Sequence, residues 1–278
     1  MEEYSQPQPG SYSFPHPEVW TLALRLKQDG FDYAIYSRME DNSLITGEVA
    51  FSGTADSYVK ELEEAVYAHE FLLTPFGKVT VVVDSDRFVI VPEAIASDTE
   101  NDLTPHYRYL YGDDNRRLRF DKLQGCSLVY GINSDVDSFL RRTFYNPPVV
   151  HALTPLTRYF SRKGSYGGRR KMYAYLHDGV VAIVALDDSR LLAANTYSIA
   201  TTDDALYYIA AAWQATAMSD HGDELHLIGD KTIKQQLLPR LRHRLRNVMQ
   251  VIFPAELLRL GKDAMSAPFD LIILPLCE

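Results

Sequence analysis

Two stretches of the chain alternate apolar and polar positions in the same way. The first has apolar runs over residues 22–27, 33–36 and 44–51, the second over 172–176, 180–185 and 191–199. Short β-rich runs bounded by turn residues predict strands. In each stretch the first break falls at an Asp-Gly pair, Asp29-Gly30 and Asp178-Gly179. That pair tolerates the positive φ angles of a tight hairpin. Asp41-Asn42 and Asp187-Asp188-Ser189 mark the second turns. Each stretch therefore predicts a three-stranded antiparallel meander.

A helical period follows in both places. Thr54 or Asp56 can cap a helix with Val59, Leu62, Val66, His69 and Leu73 along one side. Thr201 or Thr202 can cap another with Leu206, Ile209, Ala210, Trp213 and Ala217 inward. Apolar runs at 79–83 and 225–228 then predict strands covered on both faces. The first stretch continues with strands at 88–92 and 127–130, a helix over 135–144, a short strand at 149–150 and a helix over 155–162. The second continues with a helix over 232–245, a strand at 248–253 and a last strand at 271–274.

This layout predicts a flexible lead over 1–17, a first domain over 18–163, a linker over 164–170 and a second domain over 171–278. A meander followed by alternating helices and strands is the order of a ribonuclease-H-like unit. Two such units in tandem make the actin-like ATPase architecture. The expected fold class is thus α/β, a duplicated ribonuclease-H-like unit with mixed sheets and helices on both faces.

At this point the chain resembles an uncharacterised family of Bacteroidetes proteins, a domain of unknown function with an actin-like fold. The resemblance rests on the duplicated layout and on Phe-Val-Ile-Val-Pro at 88–92, similar to that family's aromatic-x-aliphatic-Val-Pro segment. It rests also on Val149-Val150-His151 before the closing helix. It covers nearly the whole chain after the lead and implies a bacterial protein. That family carries no established activity, so the resemblance assigns no catalytic residue.

Composition narrows the classes. The chain has 278 residues, 46% hydrophobic, enough for a buried core. A net charge of −9 argues against broad phosphate-driven nucleic-acid binding. No apolar run is long enough to predict a membrane span, and the lead has no secretory pattern. Two distant cysteines, Cys126 and Cys277, fit a reduced, cytoplasmic protein. Basic residues cluster at Arg116, Arg117 and Arg119, at Arg169, Arg170 and Lys171, and at Arg240, Arg242, Arg244 and Arg246. The last set is expected to be a solvated helix face, with a phosphate or partner surface as the alternative.

An actin-like nucleotide site would need an Asp two positions before each hairpin glycine, to order Mg²⁺, and small residues after it. Gln28 and His177 stand at those positions, and Phe31 and Val180 follow the glycines. Asp29 and Asp178 lie one position late, where strand alternation would turn a carboxylate away. The adenosine-side glycine pair is reduced to one at Gly229-Asp230-Lys231-Thr232, a strand-to-helix junction whose N–H groups suit an anion. Asp29, Gly30, Asp178, Gly179, Gly229, Asp230, Lys231 and Thr232 are therefore the candidate nucleotide contacts.

Other chemistry fits less well. A two-metal nuclease could use Asp84 and Glu64, but Arg25 and Lys27 on the first strand would oppose the ions. His221, Asp223, Glu224 and His226 straddle a turn and predict no metal site. The 164–168 stretch lacks the ending of a phosphate loop. His69 and His151 are expected to be structural. The reading that follows is a degenerate, non-hydrolysing actin-like protein without a cofactor, acting on a protein partner or on a copy of itself. The alternative is an ATPase or phosphotransferase using ATP and Mg²⁺ at an unorthodox site.

Overall fold

The computed structural model describes residues 12–54, 56–113, 116–163 and 168–277. The first half holds β1 (Trp20–Leu26), β2 (Gly30–Ser37), β3 (Ile45–Ala50), α1 (Tyr58–Ala68), β4 (Lys78–Val83), β5 (Phe88–Pro92) and α2 (Glu100–Tyr111). It continues through β6 (Arg116–Leu123), β7 (Cys126–Asn133), α3 (Ser134–Thr143), β8 (Val149–His151) and α4 (Leu153–Arg162). The second half holds β9 (Lys171–His177), β10 (Val180–Asp187), β11 (Arg190–Ser198), α5 (Thr202–Ala215), β12 (Glu224–Gly229), α6 (Lys231–Arg242), β13 (Val248–Gln250) and α7 (Phe269–Ile272).

Both halves build the same five-stranded sheet. The orders are β3-β2-β1-β4-β8 and β11-β10-β9-β12-β13. In each, the first three strands are antiparallel and the last two are added in parallel. The duplication read from the apolar pattern is thus present strand for strand. The two Asp-Gly turns differ in detail. Asp178 and Gly179 take φ 41° and 69°, a two-residue hairpin, whereas Asp29-Gly30 turns without positive φ.

The first half also carries an inserted sheet, of which the apolar pattern announced β5 and β7 but not β6 or α2. Strands β5, β7 and β6 form a separate three-stranded sheet, with α2 on it through Leu103 and Tyr107. Charges at five of the eight positions of β6, Arg116 and Arg117 among them, hide its strand period, and Pro105 sits inside α2.

Helix caps also differ from expectation at one end. Thr201 caps α5 in a reciprocal box with Asp204, and Ala205, Ile209 and Trp213 are buried. Leu206 and Ala210 are half-buried, while Ala217 is exposed and lies past the helix end with φ 50°. At α1 the N-cap is Ser57, without a side-chain bond, rather than Thr54 or Asp56. The helix stops at Ala68, so His69 and Leu73 fall outside it and Leu73 is exposed.

The expected strand at 271–274 is a correction. Phe269–Ile272 is a helical turn, followed by a 3₁₀ turn at Leu274–Leu276. A short apolar run does not distinguish a buried strand from a buried helical turn. Here Pro268 and Pro275 bracket it, and Phe269, Leu271 and Ile272 are all buried.

The core is continuous across the halves. The inner face of the second sheet, through Tyr173, Tyr175, Val184 and Ile228, joins the same apolar cluster as Leu24, Val82 and Phe160. The C-terminal stretch reaches back to the first half. Leu260 O accepts from Leu44 N (3.1 Å), and Pro155 O accepts from the Cys277 thiol (3.3 Å). The outer face of the second sheet packs separately on α5 and α6. Residues 1–11 of the expected lead and 164–167 of the expected linker lie outside the described residues. Tyr12 and Phe14 make edge contacts with Phe71, Trp20 and Phe76.

Candidate functional site

The two Asp-Gly hairpins approach each other, and what lies between them is Arg25. Strand register places Arg25 of β1 directly opposite Asp32 of β2. Its Nε donates to Asp32 Oδ2 at 2.8 Å. Tyr175 holds the matching register position in β9, paired with Ala182. The first copy thus places a charged pair where the second places a tyrosine.

Arg25 is only 2% exposed and reaches across to the second half. Its Nη2 donates to Asp178 in the other hairpin. Its Nη1 lies 3.0 Å from His177 Nδ1 and 3.4 Å from Asp270 Oδ1. Asp270, on α7, is 1% exposed; its Oδ1 also accepts from the Tyr175 hydroxyl at 3.2 Å. Asp270 Oδ2 is buried without a hydrogen-bond partner. Lys27 supports the outer side, 3.0 Å from Asp32 Oδ1 and bonded to Glu48.

These charges shift one another. Burial alone would weaken the Arg25 base, but Asp270, Tyr175, Asp32 and Asp178 more than reverse that and hold it charged. The neighbouring His177, with Arg25 behind it, holds Asp178 well below the usual carboxylate range. Burial pushes the carboxyl of Asp84, at the end of β4, upward, and the nearby Asp270 adds to this. Beneath the charges lies a stack of rings. Phe160 and Tyr173 stack at 3.8 Å, Tyr175 and His177 at 4.3 Å, and Phe269 lies 6.0–6.1 Å from Phe160 and Tyr175.

The sequence candidates divide accordingly. Asp178 faces the junction, because it sits in the turn, where strand alternation does not govern direction. Asp29 is exposed in the other turn, and its carbonyl accepts from Phe51 N at 2.8 Å. Gly30 is required by close pairing, since a Cβ there would collide with Val49 O. Gly179 supplies the hairpin φ. Gly229 has φ 89°, and a Cβ would collide with Leu176 O. Asp230 caps α6, accepting from Ile233 N at 2.7 Å, while Lys231 and Thr232 are exposed on its first turn. Gly30 and Gly229 thus serve chain-to-chain approach, Gly179 serves the turn, and Asp178 is taken up by an internal cation.

A Gly229→Ala variant is expected to lose about 1–3 kcal/mol from the forced left-handed backbone alone. Denaturant midpoints would measure it. A loss within the roughly 0.5 kcal/mol of an ordinary surface substitution would return Gly229 to a ligand-facing role.

Asp32, Tyr175 and Asp270 were not among the candidates. Counting the hairpin register from Leu26 and Phe31 would have put Asp32 opposite Arg25. Nothing local points to Asp270, 245 residues away. The remaining candidates are structural. His151 is fully buried, its Nε2 2.9 Å from Ser85 O, and burial lowers it to about 4. His69 Nδ1 lies 2.7 Å from Ala65 O. Glu64 is exposed. His226 pairs with Glu224 (3.0 Å) and Asp223 with Arg170 (2.9 Å). Among the described residues no His, Cys, Asp or Glu cluster could hold a metal ion. Likewise, no helix among them is long and apolar enough to cross a membrane.

Comparison with known proteins agrees with this fold. The model of a family described as "Protein of unknown function (DUF3822)" matches residues 11–248. A crystal structure from Bacteroides thetaiotaomicron VPI-5482, of a protein with actin-like ATPase fold and unknown function, is 25% identical with a TM-score of 0.77. The match covers 94% of this chain and 97% of that one. The PilM–PilN type IV pilus biogenesis complex matches with a TM-score of 0.56 at 11% identity, over 91% of this chain and 97% of that one. No curated protein matches.

Proposed function

For a chain that belongs to the DUF3822 family, proteins of unknown function with an actin-like ATPase fold here, we propose a non-hydrolysing role exercised by binding a protein partner or a second copy. The observation that carries this is the Arg25 centre. Nucleotide chemistry between the hairpins would need carboxylates available to order Mg²⁺ and backbone N–H groups open to phosphate. Here Asp178 and Asp270 neutralise Arg25, and the rings of Tyr173, Tyr175 and Phe269 fill the space beneath. Freeing Arg25 for a phosphate would strand the buried carboxylate of Asp270, at a cost of several kcal/mol. The protein-binding part draws support from one relative in fold: PilM is solved in complex with PilN.

Thermal unfolding with and without Mg-ATP tests the reading. A ligand at about 100 times its dissociation constant stabilises by roughly 2.7 kcal/mol. At about 2–4 °C per kcal/mol that is a shift of roughly 5–11 °C. No Mg²⁺-dependent shift is expected with any nucleoside triphosphate. A saturable, Mg²⁺-dependent shift would overturn the proposal in favour of ATP and Mg²⁺ held near Asp29, Asp178 and Gly229.

A further inference from the structure

A second charge centre lies on the inserted sheet, away from the hairpins. Asp137 of α3 is fully buried, and three arginines converge on it. Arg117 Nη1 donates at 2.7 Å and Arg141 Nε lies at 3.0 Å, while Arg119 Nη2 also donates to it. Burial would raise the Asp137 carboxyl, but the bonds from Arg119 and Arg117 outweigh it and hold the group ionised. Asp121, the next carboxylate, is spent on His151 N (2.7 Å) and the Thr154 hydroxyl (2.6 Å), with Arg158 close by. Among the described residues, three arginines thus face one buried carboxylate, in a chain of net charge −9.

The three guanidiniums are not saturated. Each carries five N–H donors in a planar fork, and Asp137 takes few of them. The side chains of Arg117 and Arg141 are 50% and 42% exposed. Among the described residues Arg119 Nε has no acceptor but is shielded, so the donors open to a ligand are those on the exposed sides of Arg117 and Arg141. The backbone fixes the set, since Arg117 and Arg119 share one face of β6 and Arg141 stands one helical turn after Asp137. Asp137 orients the forks while leaving their outer donors to solvent.

We propose that Arg117, Arg119 and Arg141, held by Asp137, form a binding site for a small phosphate-like oxyanion. Planar guanidinium forks match the oxygens of a phosphoryl group, and several together give charge-assisted, bidentate bonds.

Isothermal titration of the full chain with inorganic phosphate and with pyrophosphate, at constant ionic strength set by sodium chloride, tests this. Saturable binding is expected, at least tenfold weaker in an Arg117→Gln/Arg141→Gln variant. Both positions are partly exposed, and circular dichroism checks that the variant folds. If it does not, Arg117→Gln alone is expected to weaken binding severalfold. Heats no larger than those of added chloride would overturn the proposal. So would phosphate affinity unchanged in the folded variant. A nucleoside triphosphate carries the same phosphoryl oxygens, so the Mg-ATP test of the hairpins is repeated in the folded Arg117→Gln/Arg141→Gln variant, where a shift that persists belongs to the hairpin site and one that vanishes belongs to these arginines.

Discussion

Arg25→Ala is expected to lower stability by about 3–5 kcal/mol, the cost of removing one partner from a buried ionic cluster. The midpoint of thermal unfolding should then fall by roughly 6–20 °C. The loss comes mainly from what remains. Asp270, 1% exposed, would be left with only the Tyr175 hydroxyl at its Oδ1 and nothing at its Oδ2. Asp32 would keep Lys27, so it should suffer less. A double-mutant cycle makes the cause testable. Adding Asp270→Asn to Arg25→Met removes the stranded charge, so the double variant should be less destabilised than the sum of the two singles. Additive losses would mean that Arg25 and Asp270 do not act together, and the junction would then not be an ionic seal.

Phe269→Ala is expected to cost a similar amount, about 3–5 kcal/mol, through a cavity among large rings. Phe269 is 6% exposed and sits against Tyr159 (5.6 Å), Phe160 and Tyr175. Its backbone N also donates to the Tyr175 hydroxyl at 3.0 Å, and that hydroxyl in turn donates to Asp270. The ring therefore anchors the segment that delivers Asp270 to Arg25. Hydrogen exchange should show the loss concentrated in residues 269–277, with faster exchange than in the helices of the second half. A uniform increase across the chain, or a loss under about 1 kcal/mol, would contradict an anchoring role.

Both variants follow from one difference from what the sequence suggested. The hairpins were legible because their signals are local: an Asp-Gly pair between apolar runs needs only its neighbours. The same holds for the Thr201 cap, whose partner Asp204 is three residues away. In the inserted sheet β5 and β7 were legible and β6 was not, because a charged edge strand shows little apolar alternation. The strand expected at 271–274 failed for a related reason. Its apolar residues record burial on all sides, and burial alone does not choose between extended and helical backbone.

The sequence by itself determined the duplication, since the periods of side-chain burial in strands and helices repeat in both halves, and the matching strand orders of the two five-stranded sheets agree with that reading. It also placed Arg25 on the first strand and Lys27 just past its end, cations that would oppose a metal ion. Only the tertiary structure decided what those cations do. Asp178 and Asp270 lie 153 and 245 residues from Arg25, and no local pattern encodes a contact at that range. It forms because the two sheets share one apolar core, which brings the hairpins together and leaves a buried guanidinium that must be neutralised.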